Sequence, residues 1–298
     1  MFKTIITSLL VGFAIATQAC DICGCAAGGN YFGILPRFQK NFVGIRYQYK
    51  SFTSKPHEVA ESMGHDYFQT TELWGKYVPH HRVQLFAFIP YHNFKRLEAG
   101  KETFVQGLGD ISILSNFLIF NTGDSIRKIW KQALQIGGGI KVPTGKHEIV
   151  QENRMVNQNL QPGSGTFDFP LNLIYTLRHK QIGLNSELNY SINTVNNQHY
   201  QFGNRLNSSM RIFYWKRYKS LSLIPQLGAS YEKAESNKSF NKEVEFSGGH
   251  GSYALVGLDV YFKNLALGAS FKQAIAENIS GGLVNSKKRI SANIIYLF

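Results

Sequence analysis

Cysteine is almost absent from this chain of 298 residues: there are three, all within residues 20–25. Disulfides therefore cannot staple the fold along its length. Charged residues are also sparse, at 17%, yet mean hydropathy is slightly negative, −0.19, too polar for a bundle of membrane helices. No apolar run reaches the roughly eighteen residues that a membrane helix needs, and helical periodicity is largely missing after about residue 41. Basic residues outnumber acidic ones by 32 to 19, a net charge of +13, but no basic run of five or more occurs. That argues against a nucleic-acid partner.

What is present begins with "IITSLLVGFAIA", Ile5–Ala16, preceded by Lys3 and followed by Thr17-Gln18-Ala19. A charged start, a short apolar middle and small residues before the cut predict a secretory signal peptide over 1–19. The mature chain would then work outside the cytoplasm. There its positive charge suits outer-membrane lipid headgroups, lipopolysaccharide or an anionic solute.

From residue 41 the sequence alternates with period two. "VGIRYQYK" puts Val43, Ile45, Tyr47 and Tyr49 on one face and Arg46, Gln48 and Lys50 on the other. "FDFPLNLIYTL" opposes Phe167, Phe169, Leu171, Leu173, Tyr175 and Leu177 to Asp168, Pro170, Asn172 and Thr176. "IGLNSELNYSIN" opposes Leu184, Leu188, Tyr190 and Ile192 to Asn185, Glu187, Asn189 and Asn193. About twelve such segments are expected, each near the length of a tilted membrane strand. Their cores are 41–52, 67–78, 82–93, 107–120, 130–142, 166–178, 182–193, 200–215, 219–233, 250–262, 264–275 and 287–298.

Short links (79–82, 178–181, 216–219, 262–264) alternate with longer polar ones (53–66, 94–106, 143–165, 234–249, 276–286), and 121–131 is a longer link on the short side. Short periplasmic turns and longer outer loops are the habit of outer-membrane barrels. The last segment, "RISANIIYLF", carries Tyr296 and Phe298 on one face, a candidate signal for the barrel assembly machinery. Aromatics fall near strand ends (Tyr47, Tyr49, Tyr67, Tyr77, Tyr91, Tyr190, Tyr214, Tyr261, Tyr296), as interfacial girdles require. The fold class read from these features is all-β: an antiparallel transmembrane β-barrel over 41–298 in the bacterial outer membrane. Residues 20–40 form a periplasmic segment and candidate plug.

Projecting the polar faces inward predicts a lumen with both signs of charge. Its basic set is Arg46, Lys50, Lys76, Lys141, Arg178, Arg205, Arg211, Lys272 and Arg289; its acidic set is Glu72, Asp110, Asp168, Glu187, Glu232 and Asp259. Charge on this scale is tolerable inside a barrel only if water-filled or cross-paired. Two readings stay open: a constricted polar channel for a small solute, and a lumen plugged by salt bridges and a loop. Barrels of this size can also be hydrolases, which need a hydroxyl beside a base. The nine histidines are scattered over turns and loops and make no local Ser–His signature, so no enzyme is expected.

"GGGIKVPTGKHE" (137–148) mimics a phosphate loop, but five residues separate Gly139 from Gly145 where four are required, and His147 replaces the magnesium-binding hydroxyl. The run Gly137–Gly139 instead predicts close strand packing. That same stretch and "GLGDISIL" (107–114) resemble motifs of outer-membrane channels of the phenol meta-pathway type, distant kin of the fatty-acid channels. "CDICGCAAGGNYFGILPRFQKNFVGIRY" resembles a subgroup of exported transporters of the Bacteroidetes with an N-terminal CxxCxC segment. The resemblance implies a barrel that passes small aromatic or apolar molecules.

Three readings remain for Cys20, Cys23 and Cys25. Cys20 would accept a lipid, although Thr17 is not the aliphatic residue usual before such a site. A disulfide leaves one thiol over. Three thiolates at C-x2-C-x-C spacing can converge on Cu(I) or Zn, with His80 and His81 approaching from a periplasmic turn. The alternative function is thus a metal-handling outer-membrane receptor.

Overall fold

A computed structural model describes residues 40–55, 63–123 and 129–298. The expected signal peptide and the three cysteines lie outside them, as does all but Lys40 of segment 20–40.

Twelve antiparallel strands make one closed wall. They are β1 (Phe42–Ser54), β2 (Gly64–His80), β3 (Val83–Glu98), β4 (Lys101–Leu108, resuming as Ile111–Asn121), β5 (Trp130–Val142), β6 (Phe169–His179), β7 (Ile182–Ile192), β8 (Arg205–Tyr214), β9 (Leu221–Ala234), β10 (Gly249–Phe262), β11 (Leu265–Ile279) and β12 (Val284–Leu297). Each pairs with its neighbours in sequence, and β1 pairs with β12 from Phe42↔Leu297 to Ser54↔Val284. No edge is left, which is the condition for a sheet in hydrocarbon, where every backbone N–H and C=O needs a partner.

Side-chain parity follows the alternation in the sequence. On β1, Val43, Ile45 and Tyr47 are exposed while Phe42, Gly44 and Arg46 are buried. On β6 and β7, Leu171, Leu173 and Leu188 face out, while Asn172, Asn185 and Glu187 face in. Apolar side chains around the whole exterior stay open, Leu227 at 67% and Ile45 at 50% among them. A soluble protein rarely leaves so continuous a greasy surface, whereas lipid tails require one. One expected girdle residue departs: Tyr261 shares the parity of Leu255 and Asp259 and packs inward against Phe213 and Ile224.

At one end the connections are tight, as at 180–181 and 263–264, where Lys180 and Lys263 adopt positive φ. Several strands run long at the other end. The expected loop 94–106 is a hairpin instead, closed by Ala99 and Gly100, both at positive φ. The link at 276–286 likewise shrinks to a short turn at Ser280–Gly282. Segment 200–215 divides: Tyr200–Gln201 leaves the wall to pair with Lys238–Ser239, and only Arg205–Tyr214 is barrel.

The interior is layered rather than uniformly hydrophilic. Near the tight-turn end, Phe42, Trp74, Phe86, Phe88, Ile295 and Leu297 make an apolar cluster. Toward the long-loop end, Phe52, Phe68, Phe94, Val105, Ile279 and Val284 make another. Polar and charged side chains occupy the belt between them.

Candidate functional site

The long connection from β5 to β6, residues 143–168, starts on one side of the barrel and crosses to the other. Its Val156 and Leu160 join the apolar cluster built by β1–β4, β11 and β12. This loop covers the mouth at the long-loop end, and its neighbours bind it there. Asn196 Nδ2 donates to the Ser164 carbonyl at 3.3 Å, and Gln158 Nε2 to Gln198 Oε1 at 2.8 Å.

A buried polar latch fixes the root of the loop. Asp110 Oδ1 accepts from the Gly145 N–H at 2.9 Å, and Oδ2 from the Ser164 N–H at 2.9 Å and its hydroxyl at 2.7 Å. Lys141 Nζ lies 3.1 Å from Asp110 Oδ2, donates to Ser164 Oγ at 2.6 Å and pairs with Asp168. Thr166 Oγ1 and the Thr194 N–H fill Asp168 Oδ1 at 2.8 and 3.0 Å. Both resemblance motifs thereby acquire a physical role: "GLGD" and "KVPTG" supply Asp110, Lys141 and Gly145 to one satisfied network. Gly139 belongs to close packing, because a Cβ there would collide with the Ile113 carbonyl.

The inner belt gathers most of the remaining residues expected in the lumen. Arg46 pairs with Glu72 at 3.0 Å, and its guanidinium lies 4.2 Å over Trp74. Lys76 is buried 5.6 Å over Phe42. Asp259 accepts from Gln226 Nε2 at 2.9 Å, and Glu187, Arg205 and Arg211 are buried on β7 and β8. Glu232 reaches across to Lys272 at 2.9 Å and Arg289 at 2.7 Å, and Arg289 covers the Tyr253 ring at 4.3 Å. Lys50 stands opposite Arg289 on the neighbouring strand. Arg178 sits apart, at the tight-turn end, 4.4 Å over Trp215 and donating to the Lys180 carbonyl. Tyr296 and Phe298 are exposed, their rings 6.4 Å apart.

Two features escaped the sequence reading. Asp66 and Arg96 form a buried bidentate pair, at 2.6 and 3.1 Å, directly opposite on β2 and β3. The alternation alone places both in the loops 53–66 and 94–106, and only the extended strands give them inward parity. The second is His92, whose Nδ1 lies 2.9 Å from Thr70 Oγ1 inside the barrel. That is the hydroxyl–base contact a hydrolase would need, but the ring is 5% exposed and packed on Phe94 at 4.8 Å. A Cβ on Gly109 would fall on the ring's other nitrogen. Walled in this way, Thr70 satisfies a buried imidazole. Among the described residues no three His, Cys, Asp or Glu side chains gather as a metal site. Cys20, Cys23 and Cys25 are outside those residues.

A closed twelve-strand wall with a greasy exterior, a charged belt and a loop over one mouth decides the architecture. The fold is that of an outer-membrane β-barrel. Comparison with solved structures agrees. An outer membrane channel from Pseudomonas putida F1 superposes with a TM-score of 0.64 at 13% identity, covering 91% of this chain and 98% of that one. The beta domain of the Bordetella autotransporter BrkA gives 0.55 at 11% identity, covering 87% and 100%. No family model matches the chain, and no curated protein does.

Proposed function

We propose that this barrel is an outer-membrane channel, or transporter-like porin, through which a small solute passes passively. The observation that carries the reading is the belt of charged and polar side chains inside a wall whose outside fits lipid, the polar interior that barrels enclosing a channel share. Likeness to the Pseudomonas channel and to the phenol meta-pathway motifs supports it. On this reading the wall contacts outer-membrane lipid and lipopolysaccharide, and the exposed Tyr296–Phe298 pair meets the barrel assembly machinery. Swelling of proteoliposomes in isosmotic arabinose is expected to exceed that of empty vesicles; swelling no faster than the empty vesicles would overturn the reading.

A second reading has its own observation. His80 and His81 lie exposed at the tight-turn end with rings 4.0 Å apart, and the C-x2-C-x-C spacing of Cys20, Cys23 and Cys25 suits Cu(I) or Zn. A metal-handling receptor would carry stoichiometric metal on the reduced, purified protein and lose it in the Cys23→Ser, Cys25→Ser double variant.

A further inference from the structure

The two ends of the barrel carry their surface charge differently. At the tight-turn end each of the five links brings a cation to the rim: Arg82, Lys131, Lys180, Lys263, and both Lys216 and Lys219 between β8 and β9. None of these links holds an Asp or Glu among the described residues. The stretch 124–128, outside those residues, adds Asp124 together with Arg127 and Lys128. Every exposed Glu among the described residues belongs to the long-loop end. Glu98 and Glu102 are on the β3–β4 hairpin, Glu148 and Glu152 on the covering loop, and Glu235, Glu243 and Glu245 between β9 and β10. Cations there have acids beside them, as in the Lys95–Glu102 pair at 2.8 Å.

The basic rim is also level with the edge of the lipid-facing wall. Links such as 180–181 and 263–264 are too short to carry their side chains away from it. Trp130, Tyr218 and Phe262 are exposed at the same end. Lys216 and Lys263 place their ammonium groups 5.5 Å from the Tyr218 and Phe262 rings. Rings of this kind mark the layer where acyl chains give way to headgroups, so lysines beside them reach phosphate.

We propose that the tight-turn rim binds phospholipids of net negative charge and selects them over zwitterionic ones in the leaflet at that end. The inference rests on the outer-membrane assignment of the wall, is independent of the channel, and adds the charge of the lipid. Basic side chains next to a membrane strengthen its hold on anionic headgroups, but only within a Debye length of roughly 8 Å at physiological salt. An acidic protein would call for cations raised clear of the headgroups, whereas these turns keep them at the girdle.

The test reconstitutes the full chain in mixed vesicles of phosphatidylcholine and phosphatidylglycerol, one of the two carrying brominated chains. Trp130, 53% exposed at the rim, reports by its quenching which lipid lies beside it. Phosphatidylglycerol is expected to be enriched about threefold at the protein, and sodium chloride at about 0.5 M should remove the enrichment. Changing Lys180, Lys216, Lys219 and Lys263 together to Gln should also abolish it, while Lys95→Gln with Lys101→Gln, at the other end, should not. Heat-dependent gel mobility verifies the fold of each variant; should the fourfold change fail, the Lys180→Gln, Lys263→Gln and Lys216→Gln, Lys219→Gln pairs carry the test. Equal quenching by both lipids, or a preference that survives salt and the lysine changes, overturns the inference while protein that floats with the vesicles keeps the membrane assignment. Protein that does not float overturns both. Equal quenching joined with binding of polyglutamate by the solubilised barrel overturns the lipid and gives the rim to an acidic protein.

Discussion

Around Asp110, two carboxylates and one ammonium are joined by two backbone N–H groups, two hydroxyls and a third N–H from Thr194. Around Glu232, one carboxylate joins Lys272 and Arg289, with Lys50 opposite Arg289 on the next strand. Both groups lie inside one barrel, yet the first ties a loop to the wall and the second joins side chains of wall strands alone. A saturated cluster holds structure in place, because any change leaves a buried group without its partner. A pair between wall strands is backed by a sheet that is held by its own backbone ladder. A single buried pair therefore says little; the elements it joins separate a loop latch from a wall contact.

The contrast can be broken most forcefully at the latch. Asp110→Ala should cost about 3–5 kcal/mol, since Lys141 and the Gly145 and Ser164 donors lose their acceptor. Urea unfolding in micelles measures it, and trypsin should cut the freed loop at Arg154 faster than in the parent. Equal stability and equal cleavage would dismiss the latch. Next, a cation on the opposite side of the same wall should fail where inner cations are tolerated: Leu227→Arg, on the lipid face, is expected to cost about 2–4 kcal/mol in liposomes. Glu232→Gln should cost less, about 2 kcal/mol, because its side chain is 18% exposed and that of Lys272 is 25% exposed. The smallest effect belongs to the Lys95–Glu102 pair, whose side chains are 38% and 51% exposed. Lys95→Ala should stay below about 0.5 kcal/mol, and a larger change would mean that the tip of the β3–β4 hairpin matters to the wall.

Much of the barrel was legible because its strands alternate between unlike residues. Val43, Ile45 and Tyr47 against Gly44 and Arg46 can point only one way once lipid lies outside. The interior apolar clusters were not legible for the opposite reason. In "LFAFIP" both faces are apolar, so nothing in the letters says that Phe86 and Phe88 turn inward while Leu85 and Ala87 turn out. The hairpin at 98–101 was read as loop because charged residues crowd its ends and an alanine occupies one of its left-handed positions. Asp110, Lys141 and Asp168 were found as inward charges. Their convergence on Ser164 depends on a loop that doubles back over more than fifty positions of chain, and alternation carries no record of that return.

The seam between β1 and β12 also constrains how the molecule comes into being. Phe42 meets Leu297 and Ser54 meets Val284, so the contacts that complete the cylinder are among the most distant in the chain. Such a topology forms slowly, and until its last ribbon arrives the penultimate ones offer bare hydrogen-bonding margins. The cylinder cannot close piecemeal: its seam is made only once both ends of the wall are present.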